Sequence, residues 1–246
     1  MKKFTIISLL VLAILFALFM LILGATATGP DVGVAKGISK MAVGLIILWI
    51  FIGGGLMYRF RDQIRDRVRA IPLRWEIKFV LFAALLACIE EAITTFMTNL
   101  APQFGSKIGE AYITASTNYF DVIFLHSVFP VILPLFIGWM IILRRYDFKP
   151  FSVFLLFGIM GVFCEVMFSG PSALFGFPMW MFVYGLMIYL PVYSLPENRG
   201  ARPVNFLHYL FVLPAVLLVA FVLLLPSVFF ITQVLQHPRI DFESMQ

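Results

Sequence analysis

The segment KFVLFAALLACIEEAITTFMTNL, residues 78–100, decides how this chain folds. After Lys78 its first half is apolar without interruption, and its length matches the roughly 20 residues that an α-helix needs to cross a bilayer. In its second half stand two adjacent carboxylates, Glu90 and Glu91, followed by threonines and Asn99. The segment therefore predicts a membrane-spanning helix with one polar face, and it raises the question of what lies opposite the two glutamates.

The composition of the whole chain supports the same interpretation. Hydrophobic residues make up 62% of its 246 residues, charged residues make up 13%, and the mean hydropathy is +1.00. The predicted fold class is therefore all-α, a polytopic transmembrane helix bundle. The net charge of +5 does not indicate nucleic-acid binding, because the basic residues lie at the ends of the apolar segments, where membrane orientation accounts for them.

Seven apolar segments are long enough to be spans. They are residues 4–24, 41–58, 78–100, 119–143, 151–169, 175–194 and 206–232. The connections alternate between a strongly basic set and a weakly basic set, because all but four of the 18 Lys and Arg residues fall in the first set. The four exceptions are Lys36, Lys40, Lys107 and Arg239. The positive-inside rule then predicts a cytoplasmic N-terminus and an outer C-terminus.

Two segments near the N-terminus have alternative interpretations. Residues 1–29, MKKFTIISLLVLAILFALFMLILGATATG, have the basic start, apolar run and small residues of a cleavable signal peptide, although the length of the apolar run favours an uncleaved anchor. Residues 58–78, YRFRDQIRDRVRAIPLRWEIK, fit either an amphipathic helix at the lipid surface or an orientation signal.

The chain as a whole is expected to form one integral membrane domain over residues 1–246, without a separate soluble domain. The expected location is the cytoplasmic (inner) or plasma membrane. The expected partner is the lipid bilayer, association with other membrane proteins is left open, and nucleic acid is excluded.

Ionisable side chains inside three predicted spans mark the candidate site. Such a residue costs roughly 2.5–3.5 kcal/mol at the centre of a membrane helix, so it usually faces the bundle interior and serves a function. The candidate catalytic residues are Glu90 and Glu91 in the third span, His126 in the fourth and Glu165 in the fifth. At about 1.5 Å per residue, Glu91, His126 and Glu165 lie roughly 8–13 Å from the outer ends of their spans. A shared site in the outer half of the bilayer is therefore predicted.

Further polar residues surround these four at helical spacing. Gly158, Gly161, Glu165 and Ser169 form a small-residue stripe, so Glu165 is expected to face another helix. Asp121, in NYFD at residues 118–121, fits the first turn of a capped helix. The supporting polar residues are Thr94, Thr95, Asn99, Asp121, Ser169 and Tyr184, the last as a hydrogen-bond donor.

The pattern of Glu90, Glu91 and His126 resembles the CAAX-protease and bacteriocin-processing family of intramembrane proteases. That family carries E-E-x-x-x-R on one span, F-x-x-x-H on a later span and H-x-x-x-N on a third. The resemblance implies a polytopic hydrolase in which the matching glutamates and histidine are catalytic. Thr95 stands at the arginine position, Val122 stands at the phenylalanine position, and EVMFS at residues 165–169 would be the third motif.

Four functions are consistent with these residues. In a hydrolase, a glutamate acts as general base while the histidine polarises a carbonyl. In a metal site, Glu91, His126 and Glu165 hold a divalent metal such as zinc, and no other cofactor is indicated. Proton- or ion-coupled transport uses the same residue types as a relay. Finally, in an accessory or assembly protein the polar cluster is a hydrogen-bonded packing core.

Overall fold

The computed structural model describes residues 2–238, 240 and 242, with side chains from residue 6 onward, and it contains seven helices that are long and apolar enough to cross a membrane. They are α1 Lys2–Thr26, α2 Val32–Ala70, α3 Trp75–Asn99, α4 Tyr119–Arg145, α5 Pro150–Ser169, α6 Pro171–Tyr193 and α7 Phe206–Val234. The described residues contain no β-strand. The predicted all-α, polytopic helix bundle is confirmed, and the chain is an integral membrane protein. Its orientation stays a prediction, and Arg239, one of the residues behind it, lies outside the described residues.

Helix α2 extends well beyond the predicted span of 41–58. It begins at Val32, passes through a π-helical segment at Ile46–Gly53 and continues through the basic residues to Ala70. Arg65 lies 2.9 Å from a carboxylate oxygen of Asp62 and 2.9 Å from one of Asp66, so the basic part has its own side-chain support. The helix ends where Pro72 disfavours helical backbone at the preceding residue.

Helix α3 has two faces of opposite character. Leu81, Leu85, Ile89 and Phe96, spaced at about one helical turn, are all exposed and suited to lipid. The opposite face is buried, and after Ala87 all of its buried residues except Met97 are polar: Glu90, Glu91, Thr94, Thr95 and Thr98. The polar face that the sequence predicts therefore points into the bundle, where α3 packs against α2, α4 and α6.

Helices α5 and α6 form the closest pair in the bundle, and glycines allow the approach. A Cβ atom at Gly158 would lie 2.7 Å from the carbonyl oxygen of Met181, and one at Gly161 would overlap the ring of Tyr184. The predicted small-residue stripe is thus a helix–helix contact, and it holds Glu165 against α6.

Helix α4 is interrupted at Ser127, whose φ of −125° and ψ of −79° are not helical. Short π-helical segments, Val122–His126 and Val128–Ile132, lie on either side of it. Pro130 has no backbone N–H to donate, which removes a bond from a regular ladder at this point. The α-helical part resumes only at Leu133. The break places the Ser127 side chain towards α3.

The bundle has two ends that differ in their covering. At the cavity end, where α3 finishes at Asn99 and α4 begins at Tyr119, the 100–118 loop and the tail after α7 fold over the helices. The rings of Tyr112 in the loop and Phe242 in the tail lie 4.8 Å apart. At the arginine end, where α2 finishes at Ala70, arginines occupy the connections between helices.

Candidate functional site

A cavity of about 1010 Å³ lies within the bundle at its cavity end. Ligand pockets are typically about 300–1,000 Å³, so this space is large enough for an amphiphilic molecule. Its polar and ionisable lining residues are Glu90, Glu91, Thr94, Glu110, Tyr112, Thr114, His126, Ser127, Cys164, Glu165, Ser169, Trp180, Tyr184, Thr232 and His237. The described lining contains no Lys or Arg. We call this space the acidic cavity, and the four predicted catalytic residues all line it.

Glu91 is held by two hydroxyl groups. Its side chain accepts a hydrogen bond of 3.1 Å from the Thr94 hydroxyl, one turn along α3, and another from the hydroxyl of Ser127 at the break in α4. The residue is 8% exposed. Glu91 therefore has a fixed carboxylate orientation, and the hydroxyls leave its remaining lone pairs for a water or substrate group.

Glu90 lies one residue earlier and is even less exposed, at 3%. Its charged neighbours are Glu91 and Glu165. Among the described residues, no side chain donates a hydrogen bond to its carboxylate. Burying a carboxylate in this way costs free energy unless the carboxylate gains a partner. For Glu90 that partner would be a proton, a water or a cation in the acidic cavity.

Glu165 on α5 meets Tyr184 on α6. The phenol hydroxyl of Tyr184 donates a hydrogen bond of 2.7 Å to the carboxylate. The contact depends on Gly161, because the Tyr184 ring occupies the space that a side chain would need there. Both parts of the sequence expectation are met, since Glu165 faces a neighbouring helix and Tyr184 donates to it.

His126 does not join the glutamates but a separate cluster with Asp121 and His237. Its Nε2 atom lies 3.0 Å from one carboxylate oxygen of Asp121, and Nε2 of His237 lies 3.0 Å from the other. The two Nε2 atoms are 3.1 Å apart. Both histidines also line the acidic cavity, so this cluster and the glutamates border the same space.

The local fold explains how Asp121 and His126 meet. Asn118 caps the start of α4 by accepting hydrogen bonds from the backbone N–H groups of Phe120 and Asp121, which confirms the predicted cap. In an α-helix, residues five apart point about 140° away from each other. The π-helical segment Val122–His126 has more residues per turn, and it brings the two side chains onto one face.

The metal ligands predicted from the sequence, Glu91, His126 and Glu165, are not the residues whose ligand atoms lie close enough together to share an ion. Among the described residues, that spacing is found in Asp121, His126 and His237, whose ligand atoms all lie within 4.8 Å of one another. The sequence prediction named His126 but paired it with Glu91 and Glu165. It gave Asp121 a capping or supporting polar role rather than that of a ligand, and it left His237 in the tail. The predicted topology did give one indication of His237, because it places the tail on the same side of the membrane as His126.

One of the supporting residues, Asn99, acts together with Thr98 on the cavity wall rather than on its contents. The Asn99 side chain donates a 3.0 Å hydrogen bond to the carbonyl oxygen of Thr117, and the Thr98 hydroxyl accepts one of 3.2 Å from the backbone of Ile113. These bonds attach the 100–118 loop to the end of α3. Thr95 is buried without a hydrogen-bond partner for its hydroxyl among the described residues.

Comparison of the chain with family models, with curated proteins and with solved structures finds no match.

Proposed function

We propose that this chain is a membrane-embedded hydrolase that cleaves a carbonyl-centred bond of an amphiphilic substrate in the acidic cavity. The observation that carries the proposal is the cavity itself, with about 1010 Å³ of space beside Glu90, Glu91 and Glu165. Protein interiors are close-packed. Polar groups that served packing alone would be in contact with one another, whereas Glu90, Glu91 and Glu165 line a space that is partly open to the outside of the bundle.

The chemistry needs one base and one hydrogen-bond donor. Glu91, oriented by Ser127 and Thr94, removes a proton from a water molecule as the water oxygen attacks the carbonyl carbon. Negative charge then develops on the carbonyl oxygen, and the hydroxyl of Tyr184 can stabilise it by turning its one proton from Glu165 to that oxygen. The proton held by Glu91 passes to the leaving nitrogen or oxygen as the bond to carbon breaks, so the carboxylate is regenerated.

The lining also limits the substrate. Apolar side chains of α4 and α6, among them Leu135, Val183 and Met187, line the cavity together with the carboxylates. This combination fits a molecule with a hydrocarbon part and a polar or cationic head. An acylated amine, an acylated peptide or a lipid ester has those two parts around a carbonyl group.

Coupled transport is a weaker proposal for the same residues. An acidic cavity suits a proton or a cation, but transport needs a polar route to the opposite end of the bundle. On the buried face of α3, the residues between Glu90 and the arginine end are apolar: Ala87, Leu86, Ala83 and Phe79. On α4, Trp139 and Leu143 are fully buried in the same layer. The polar residues therefore form a pocket at one end rather than a path.

A labelled-water experiment tests the hydrolase. Full-length protein in lipid nanodiscs is incubated in water labelled with heavy oxygen, together with a panel of acyl amides, acyl peptides and acyl esters. We expect a labelled carboxylic acid product from at least one class, detected by mass spectrometry. Glu91→Gln should lower its rate of formation by about 100- to 10,000-fold, the usual range for a general base.

Glu197→Gln is the matched control, because its carboxylate is 87% exposed at the arginine end. It should retain the rate of the unchanged protein. No labelled product from any class, or an equal rate for Glu91→Gln, contradicts the proposal. A flux of protons or cations into sealed vesicles that depends on Glu90 would instead favour transport.

A further inference from the structure

The side chains of Asp121, His126 and His237 converge on one small space. Three pairs of their atoms are in contact, at 3.0, 3.0 and 3.1 Å. Two N–H groups that donate to the two oxygens of Asp121 account for the first two contacts. When the rings carry their protons on Nδ1 instead, both Nε2 lone pairs and the carboxylate oxygens face the same space and repel one another.

A cation between the three side chains removes this conflict. All three residues can then direct lone pairs at the ion. A metal bound about 2.0–2.1 Å from two nitrogen ligands holds those nitrogens roughly 2.9–3.4 Å apart at ordinary coordination angles. The measured separation of the two Nε2 atoms, 3.1 Å, lies within that range.

We propose that Asp121, His126 and His237 form a binding site for a divalent first-row transition metal, and that zinc is the ion this ligand set fits best. Two imidazoles and one carboxylate are ligands for zinc or ferrous iron, whereas magnesium and calcium prefer oxygen alone. Three protein ligands leave at least one coordination position open, as in catalytic zinc sites.

The site would join two distant parts of the chain. Asp121 and His126 belong to the first turns of α4, and His237 lies 111 residues after His126, in the tail that follows α7. The tail turns back at Gln236, whose φ is +50°, and the backbone N–H of His237 bonds to the carbonyl of Ile231 at 3.1 Å. Metal binding would therefore fasten the tail over the acidic cavity. The site is independent of the proposed hydrolysis, because its ligands are not the glutamates.

Metal content measured on the full chain tests the site without any activity assay. The protein is purified in detergent through a tag without histidine, stripped with chelator, and loaded separately with Zn²⁺, anaerobic Fe²⁺, Mn²⁺ or Mg²⁺. Elemental analysis should find about one zinc ion per chain and no retained magnesium. The melting temperature should rise with zinc, since a ligand that binds only the folded state stabilises it.

Variants separate this site from the other candidates. His237→Ala changes a residue of the tail, so the helices should still fold, and it should weaken zinc binding by at least about 100-fold. Asp121→Asn should weaken it as well. His208→Ala is the control for adventitious binding to histidine, because His208 lies at the start of α7 at the other end of the bundle, and it should leave zinc content unchanged.

The double variant Glu91→Gln and Glu165→Gln should also keep its zinc. Less than a tenth of an ion per chain from every metal overturns the site. Zinc that survives His237→Ala but is lost from the glutamate variant overturns it too, because the ligands would then be the acidic residues.

Discussion

Two tyrosines of α6 donate hydrogen bonds to carboxylates at opposite ends of the bundle, and their surroundings differ completely. Tyr184 donates to Glu165 at 2.7 Å beside the acidic cavity, where the described lining contains no cation. Tyr193 donates to Asp62 at 2.6 Å, and Arg65 binds the same carboxylate at 2.9 Å. The Asp62 side chain is 55% exposed.

The comparison separates two uses of charge in one small membrane protein. At the arginine end, Asp62 and Asp66 are exposed and paired with Arg65, and exposed pairs of this kind contribute only about 0–1 kcal/mol. At the cavity end the glutamates are buried together, which costs stability. A change at the arginine end should therefore have little effect, and a change at the cavity end should alter function or stability strongly.

The largest expected difference between the two ends comes from removing the hydroxyl group of Tyr184 or, as its control, that of Tyr193. Tyr184→Phe should lower the hydrolysis rate by about 100-fold, because a donor to the developing oxyanion is lost. It should also destabilise the protein by about 1–3 kcal/mol, since it leaves the part-buried Glu165 carboxylate without that donor. Rates in nanodiscs and unfolding in detergent measure the two effects.

Tyr193→Phe is the matched control for this variant, and both quantities should stay close to those of the unchanged protein. Equal effects of the two substitutions would show that the cavity end is no more sensitive than the arginine end, and the comparison would fail.

The next largest effect should come from adding one methyl group at the α5–α6 contact. Gly161→Ala places a Cβ atom in the ring of Tyr184, so the helices must separate, at a cost of about 1–3 kcal/mol. Gly55→Ala is the control, because nothing lies within 4 Å of that position. It should be neutral or stabilising by up to about 1 kcal/mol. Thermal unfolding of both variants decides the matter, and a stable Gly161→Ala protein would refute the close packing.

A smaller effect, opposite in sign, is expected at Glu90. Glu90→Gln replaces a buried carboxylate, to which no described side chain donates, with a neutral side chain of the same shape. The free energy of unfolding should rise by about 1 kcal/mol, while hydrolysis should fall, which is the usual trade-off at a functional site. A loss of stability would instead mean that the Glu90 carboxylate is a structural anchor. Chemical unfolding monitored by tryptophan fluorescence gives the sign.

The smallest effect should come from Asp62→Asn at the arginine end. This substitution weakens the pair with Arg65, so we expect a loss of no more than about 1 kcal/mol at low salt. The loss should vanish in about 1 M salt, where charges are screened beyond roughly 3 Å. A large effect that persists at high salt would contradict the description of this end as a solvated surface.

Most of the fold was predictable because the bilayer imposes a strong length and composition rule. The apolar segments predicted seven helices, and the glycine stripe predicted the face of α5 that meets α6. The extent of α2 was not predictable from hydropathy, since residues 59–70 are polar. The pair of Arg65 with Asp62, three residues earlier, adds a small stabilisation to this part of the helix.

The candidate site was predictable only in part. Helical spacing placed Glu90, Glu91 and Glu165 in one region because α3 and α5 are regular helices there. The same spacing failed for Asp121, because in a helix of 3.6 residues per turn the side chains of Asp121 and His126 point in different directions. For His237 the predicted topology is the one signal, because its neighbours in space are more than 100 residues away in the sequence.

The π-helical segment of α4 makes the cluster depend on the number of residues as well as on their identity. If the same residues formed a regular α-helix, Asp121 and His126 would point about 140° away from each other. Every ligand would still be present in the sequence, yet the three side chains would no longer converge. With one residue fewer between them, Asp and His would stand four apart on one face of a regular α-helix, so a related chain could reach the same convergence without a π-helical turn.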